Sequence, residues 1–353
     1  MNANPLLGVV LHAFGGFAAG SFYIPFKKVK GWAWESYWLI QGVAAWVLTP
    51  SLVAYLVCPN FVDILRASPW QNLAMAYLFG AVWGIGGLTF GLSMRYLGLS
   101  LGYAVALGFC AAAGFTVPPV FAGRAGELVS SASGLTIVGG AAVSMLGIAV
   151  CGLAGIRKER ELTAEQARAT IKEFALLKGF AVAVFAGVMS SFMAFALAAA
   201  EPINAVAVRY CSNQVFQGLP ALIVIMAGGF TVNFVWCLIL NMKNKTARNY
   251  ITGGKRLPLN YLLSGLAGVI WYFQFFFYTM GSTKLGEYKF SSWPIHMSFI
   301  IVFSNLWGIC FKEWKGTSRR THALVWAGIV ILVLSTFVIG YGNYLKSFET
   351  AGQ

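Results

Sequence analysis

Three ionisable side chains stand where ionisable side chains are expensive. His12 and His296 fall inside long apolar stretches, and Glu35 opens another. A charge at bilayer depth costs about 2.5–3.5 kcal/mol or more, so each is a candidate for function. His12 and His296 are bases near physiological pH. Either could pass protons or bond a substrate hydroxyl, and each could equally be a plain helix–helix hydrogen bond. Glu35 follows Lys27-Lys28-Val-Lys30. There it is either a carboxylate complementing a helix dipole or a proton carrier, with burial and the nearby lysines pulling its proton affinity in opposite directions. Glu201 closes the sixth stretch, and His322, at a stretch edge, reads as interfacial.

A second group is neutral. Gln41 lies in the second apolar stretch and Trp83 in the middle of the third. Trp271-Tyr-Phe-Gln-Phe-Phe-Phe-Tyr278 places Gln274 one helical turn from both Trp271 and Tyr278. Asn213, Gln214 and Gln217 open the seventh stretch. Amides bind hydroxyls and indole faces cover apolar C–H surfaces, so this combination suits a neutral sugar. Trp83 and Trp271 are too deep for an interfacial belt, which accommodates Trp32, Trp34, Trp70 and Trp314. No HExxH motif and no paired intramembrane carboxylates occur, which argues against an enzyme. The six cysteines show no metal spacing. No cofactor is implied; the ion that these ionisable groups would suit is a proton, with Na⁺ left open.

The elements that must position these groups are transmembrane helices. Of 353 residues 58% are hydrophobic and only 10% charged, with a mean hydropathy of +0.72. Soluble domains carry about 25% charge. A crossing needs about 20 apolar residues, and the sequence predicts ten, near 5–26, 34–57, 71–94, 99–121, 135–155, 177–200, 214–240, 258–281, 291–311 and 323–345. The N-terminus lacks a basic leader region, so the first span is expected to be retained. The net charge of +14 sits in short loops, which reads as a topology signal rather than a nucleic-acid face. Of the 25 Lys and Arg residues, 19 fall in loops after the odd spans and 6 on the other side. The odd loops are therefore expected to be cytoplasmic and both termini periplasmic. Segment 156–176 reads as a cytoplasmic linker, with Thr163–Gln166 as a capping box.

Glycines at 16 and 20, and at 80, 84, 86 and 87, read as helix-packing surfaces. Pro118-Pro119 and Pro294 suggest kinks in the fourth span of each half. Cys110, Cys151, Cys237 and Cys310 read as small buried hydrophobes. Cys58 and Cys211 share the outer side, but spacing alone is weak ground for a disulfide.

The two halves echo one another at an offset of 188. Gly80, Trp83, Leu97, Gly98, Gly140, Leu146 and Gly152 recur as Gly268, Trp271, Leu285, Gly286, Gly328, Leu334 and Gly340. Residues 1–155 and 177–353 thus read as two five-helix repeats. Five spans duplicated must insert in opposite senses, the inverted-repeat plan of many transporters. The echo also fails usefully: Gln274 corresponds to Gly86 and His296 to Gly108, so an asymmetric site is expected.

Longer stretches carry a family likeness. Phe22-Tyr-Ile-Pro-Phe-Lys-Lys-Val-Lys-Gly-Trp-Ala-Trp-Glu35 resembles the first cytoplasmic turn of the bacterial L-rhamnose–proton symporters. Similar resemblances run through Phe79–Gly86, Met94–Gly102, Trp271–Tyr278, Ser292–Phe299 and Lys312–Trp314. The resemblance implies a ten-helix member of the drug/metabolite transporter superfamily in the inner membrane, taking up L-rhamnose with protons. It also implies a central cavity lined by the first, third and fourth helices of each half. His12, Trp83, Trp271, Gln274 and His296 lie on such helices. Tyr23, Gln41 and Tyr278 complete the expected sugar-contacting set, and Glu35, His12 and His296 the expected proton-coupling set. The expected partners are a small sugar and the lipid bilayer; oligomeric state stays open. The alternative is an exporter or exchanger of another metabolite on the same fold.

Overall fold

The computed structural model describes residues 3–121, 123–161, 176–211 and 213–351. Every regular element among them is helical. α1 spans Pro5–Ser21 and α2 is the single turn Tyr23–Phe26. α3 (Trp34–Val43) runs through a π-helical turn (Ala44–Leu48) into α4 (Thr49–Val57). Then come α5 (Phe61–Ala67), α6 (Trp70–Phe121), α7 (Ala125–Ser130) and α8 (Ala132–Glu161). α9 (Leu176–Ala199), α10 (Glu201–Tyr210), α11 (Leu219–Asn244), α12 (Leu257–Lys284), α13 (Ser292–Cys310) and α14 (Arg319–Ala351) follow. Among the described residues nine helical stretches are long and apolar enough to cross a membrane, and Val105–Val120 is a shorter apolar one.

The turn expected between the third and fourth spans falls inside an unbroken run of helical backbone, α6, yet the chain doubles back there: Gly86 packs on Ser190 of α9, and Gly187, about one turn away, packs on Ala106. Four expectations change. Pro118-Pro119 lie in the last turn of α6 and Pro294 in the first turn of α13. Neither therefore breaks a helix in mid-membrane, and proline is tolerated in a first turn. Cys310 ends α13 exposed rather than buried. Trp314 is buried, with the Lys158 ammonium 4.9 Å from its ring, instead of standing in a belt. Cys58 and Cys211 are joined in a disulfide. The capping box at Thr163–Gln166 lies outside the described residues.

The chain forms two compact units. One comprises Met1–Phe17, Gly86–Ala194 and Met280–Gln353. Its apolar core gathers Val9, Phe115, Ile137, Leu285, Ile295 and Ile339. α8 and α14 lie along one another through glycines: a methyl on Gly140 would meet Ile339, and one on Gly328 would meet Cys151. Each of these pairs becomes the other when both members shift by 188 positions. That exchange of partners is what an internal two-fold axis produces.

The other unit comprises Ala18–Ile85 and Phe195–Thr279. Here Gly80 of α6 packs on the Ile225 carbonyl of α11, and Gly268 of α12 packs on the Gln41 carbonyl of α3. The echoing glycines thus meet the two partner helices that the repeat would exchange. Lipid offers no hydrophobic drive for helix association, so close backbone approach through small residues must supply it. The disulfide ties the end of α4 to the end of α10. Nearby, Asn72 Nδ2 donates to the Ala199 carbonyl at 2.8 Å.

Candidate functional site

In the first unit α1 and α13 bring His12 and His296 together. Both imidazoles are fully buried, with ring centroids 6.0 Å apart in an edge-on arrangement. The approach is set by glycines. A methyl on Gly16 would collide with Phe299 of α13, and one on Gly281 would lie 3.0 Å from His12 Nε2. Two residues beyond His296, Ser298 joins its hydroxyl to that of Ser144 at 2.6 Å, linking α8 to α13. Trp293 Nε1 donates to the Cys110 carbonyl at 3.0 Å. Two imidazoles held this close can accept and pass a proton or bind a hydroxyl.

In the second unit the echoing tryptophans touch. Trp83 of α6 and Trp271 of α12 have ring centroids 5.7 Å apart, inclined at 33°. Gly229 of α11 makes room for Trp83, since a methyl there would strike the indole. A third indole, Trp46, stands edge-on to both, 6.0 Å from Trp83 and 5.5 Å from Trp271. Phe275 and Tyr278 continue this wall along α12. Gln41 and Gln274 are both buried in this unit. Tyr23 is 43% exposed and packs on Phe22 and Phe26.

Trp46 was missed from sequence. The signal that could have found it is Pro50. In a regular helix Pro50 has no N–H for the Trp46 carbonyl, and its ring clashes with it. The chain answers with the π-helical turn, where Thr49 N–H donates to Ala44 O, five residues back. Such turns inside α-helices are frequent at functional sites.

Glu35 lies in the first turn of α3, as expected, and is buried. Its Oε1 accepts from Asn244 Nδ2 at 3.0 Å and from Thr246 Oγ1 at 2.7 Å. The surrounding network is dense. The Thr246 hydroxyl also lies 3.1 Å from Asn241 Oδ1, the Asn241 amide donates to the Tyr250 hydroxyl at 3.1 Å, and the Asn249 amide donates to Ser36 Oγ at 3.0 Å. The carboxylate therefore fastens the start of α3 to the end of α11. Asn213, read as a possible sugar ligand, accepts from Val215 N at 3.0 Å and so caps a short turn. Among the described residues no cluster of His, Cys, Asp or Glu could hold a metal ion.

Comparison with known proteins places this chain in a lineage. Residues 1–344 match the family model described as L-rhamnose-proton symport protein. An L-rhamnose-proton symporter of Yersinia pestis (strain Pestoides F) is 36% identical over 346 residues, covering 97% of this chain and 99% of that protein. An L-rhamnose-proton symporter of Mannheimia succiniciproducens is 36% identical over 348 residues, with the same coverage.

Proposed function

The chain belongs to the L-rhamnose–proton symport family, and from that premise we propose that it takes up L-rhamnose, or a close 6-deoxy sugar, together with protons by alternating access. Membership makes it a transporter rather than an enzyme. The observation that carries the sugar reading to particular residues is the contact of Trp83 with Trp271 in the unit that also buries Gln41 and Gln274. Indole faces match the C–H surface and methyl group of a deoxy sugar, and the amides match its hydroxyls. Tyr278 extends the apolar wall, and Tyr23 is a peripheral member of the set.

Proton coupling belongs in this reading to His12 and His296, whose rings meet inside one unit. Glu35, the third candidate, acts as a fastening between α3 and α11. The ten-crossing, inverted-repeat plan draws support from the exchanged pairs Gly140–Ile339 and Gly328–Cys151. It counts Trp70–Ser93 and Val105–Val120 as separate crossings. The positive charge on the odd loops supports a bacterial inner-membrane orientation with both termini in the periplasm. The Cys58–Cys211 disulfide agrees independently, since both cysteines fall on the predicted periplasmic side and disulfides persist in that compartment.

The test is uptake of labelled L-rhamnose into proteoliposomes under an imposed gradient. An inward-directed proton gradient is expected to drive accumulation, and a Na⁺ gradient is not. Accumulation of a different metabolite, or outward pumping with no L-rhamnose uptake, would overturn the reading in favour of an exporter or exchanger.

A further inference from the structure

Trp46 and Gln41 share an anomaly that packing does not explain. Trp46 is 4% exposed and Gln41 fully buried. Yet Trp46 Nε1 and both Gln41 side-chain atoms, Nε2 and Oε1, lack a hydrogen-bond partner. Three orphaned polar atoms within six residues of one span are a heavy burden, because each buried group has given up its water. The packing around them is specific. A methyl on Gly42 would lie 2.9 Å from the Trp46 ring, so glycine there lets the indole fold back along its own helix. Gly268 seats α12 directly on Gln41 and Ala44, and Trp271 follows one turn later. The π-helical turn is built into the sequence by Pro50 and carries Trp46 into edge-on contact with Trp83 and Trp271.

We propose that Trp46 and Gln41 form a polar subsite for the sugar hydroxyls. In it the Trp46 N–H donates to one hydroxyl, the Gln41 amide bridges a neighbouring pair, and Trp83 and Trp271 supply the faces. This rests on the sugar-transport reading above and adds Trp46 as a substrate contact, with Pro50 as the residue that positions it. The geometry also assigns a state. A sugar held between two rings needs about 3.5–4.0 Å to each, so about 7–8 Å in all, more than the 5.7 Å separating the Trp83 and Trp271 centroids. The box is closed on itself here, and Trp83, the less buried of the two indoles, is the wall that yields. A vicinal diol is the natural occupant: an amide offers a donor and an acceptor side by side, and the indole adds one more donor.

Two variants test it, in proteoliposome uptake and in equilibrium binding of L-rhamnose read by tryptophan fluorescence. Trp46→Phe keeps an aromatic ring in place of the indole and removes the N–H. It is expected to raise KM about tenfold, or 1.4 kcal/mol, with kcat unchanged. Against a panel of single-deoxy analogues it should also erase the wild-type penalty for one missing hydroxyl. Gln41→Leu removes the orphaned amide at similar volume. It is expected to raise KM by a similar factor while raising the melting temperature, because a buried unsatisfied group is gone. A residue kept only for packing would not separate these two readouts. An unchanged KM and analogue profile in Trp46→Phe, beside a wild type that transports L-rhamnose, overturns the subsite alone. Failure of the wild type to bind or transport L-rhamnose overturns the sugar-transport reading on which the subsite rests.

Discussion

Glu35 shows how one residue can be read two ways until its partners are known. Its position after three lysines fits a dipole cap and a proton carrier equally well. The structure supplies two donors, Asn244 and Thr246, that converge on one carboxylate oxygen. Glutamine at this position keeps an acceptor for both. Glu35→Gln is therefore expected to retain gradient-driven accumulation and to cost about 1 kcal/mol of stability, the usual scale for weakening a charged hydrogen bond to a neutral one. His296→Gln should instead reduce uptake to equilibration while leaving sugar exchange in place, because it removes one of the paired imidazoles. Comparing gradient-driven accumulation with counterflow in the two variants separates the roles. Loss of accumulation in Glu35→Gln would return the carrier role to the carboxylate. His12 and His296 were each legible in the sequence as costly groups in apolar spans. Their meeting was not, because it depends on Gly16 and Gly281 letting three helices close together.

Among the elements, α8 and α14 carry a contact that titrates. Glu161 ends α8 and accepts from the Ser318 main-chain N–H at 2.6 Å, the Ser318 hydroxyl at 2.7 Å and Thr321 Oγ1 at 2.7 Å. It thereby caps the N-terminus of α14, whose dipole favours a negative charge. These bonds, the Ser318 main-chain bond foremost, hold the Glu161 carboxyl below its ordinary range, with a smaller contribution from Arg157. Its proton affinity is thus lower in the folded state than in the unfolded one. The contact stabilises the fold above the ordinary glutamate value of about 4.3 and is lost as pH falls through the depressed folded value. Melting curves of the purified protein should show wild type above Glu161→Gln at neutral pH, with the difference vanishing in acid. It should be small, because the carboxylate is exposed. A difference that grows towards acid would contradict this account. α14 itself was predictable from its apolar run. The π-helical turn between α3 and α4 was not predicted, although Pro50 marks the place, because a span assigned by hydropathy passes through a proline without notice.

For the molecule as a whole, orientation is the property most open to direct test. The distribution of basic residues and the Cys58–Cys211 disulfide bear on it through unrelated physics, one through charge at insertion and the other through the redox state of the compartment. Alkaline phosphatase fused after Gln353 is expected to be active, and the same reporter inserted in the loop at 312–318 inactive. An impermeant maleimide should label Cys58 and Cys211 in intact cells only after reduction. Phosphatase activity in that loop would reverse the topology. The two compact units each draw on both halves of the sequence, so the boundary between repeats is not the boundary between units. Repeats are read along the chain, whereas compact units follow which helices pack together.

Apolar runs, charge placement and the 188-residue echo are local or periodic properties, and they were enough to give the membrane class, nearly all of the spans and the expected inversion. Family likeness was likewise legible in unbroken stretches such as Trp271–Tyr278. Three things required the folded chain: the pairing of Cys58 with Cys211, the closure of Trp46 onto Trp83 and Trp271, and the fastening of Glu35 by Asn244 and Thr246. Each depends on how a helix is rotated about its axis and where it crosses its neighbour. Those angles are fixed by glycine contacts between residues far apart in the chain, and composition and periodicity do not encode them.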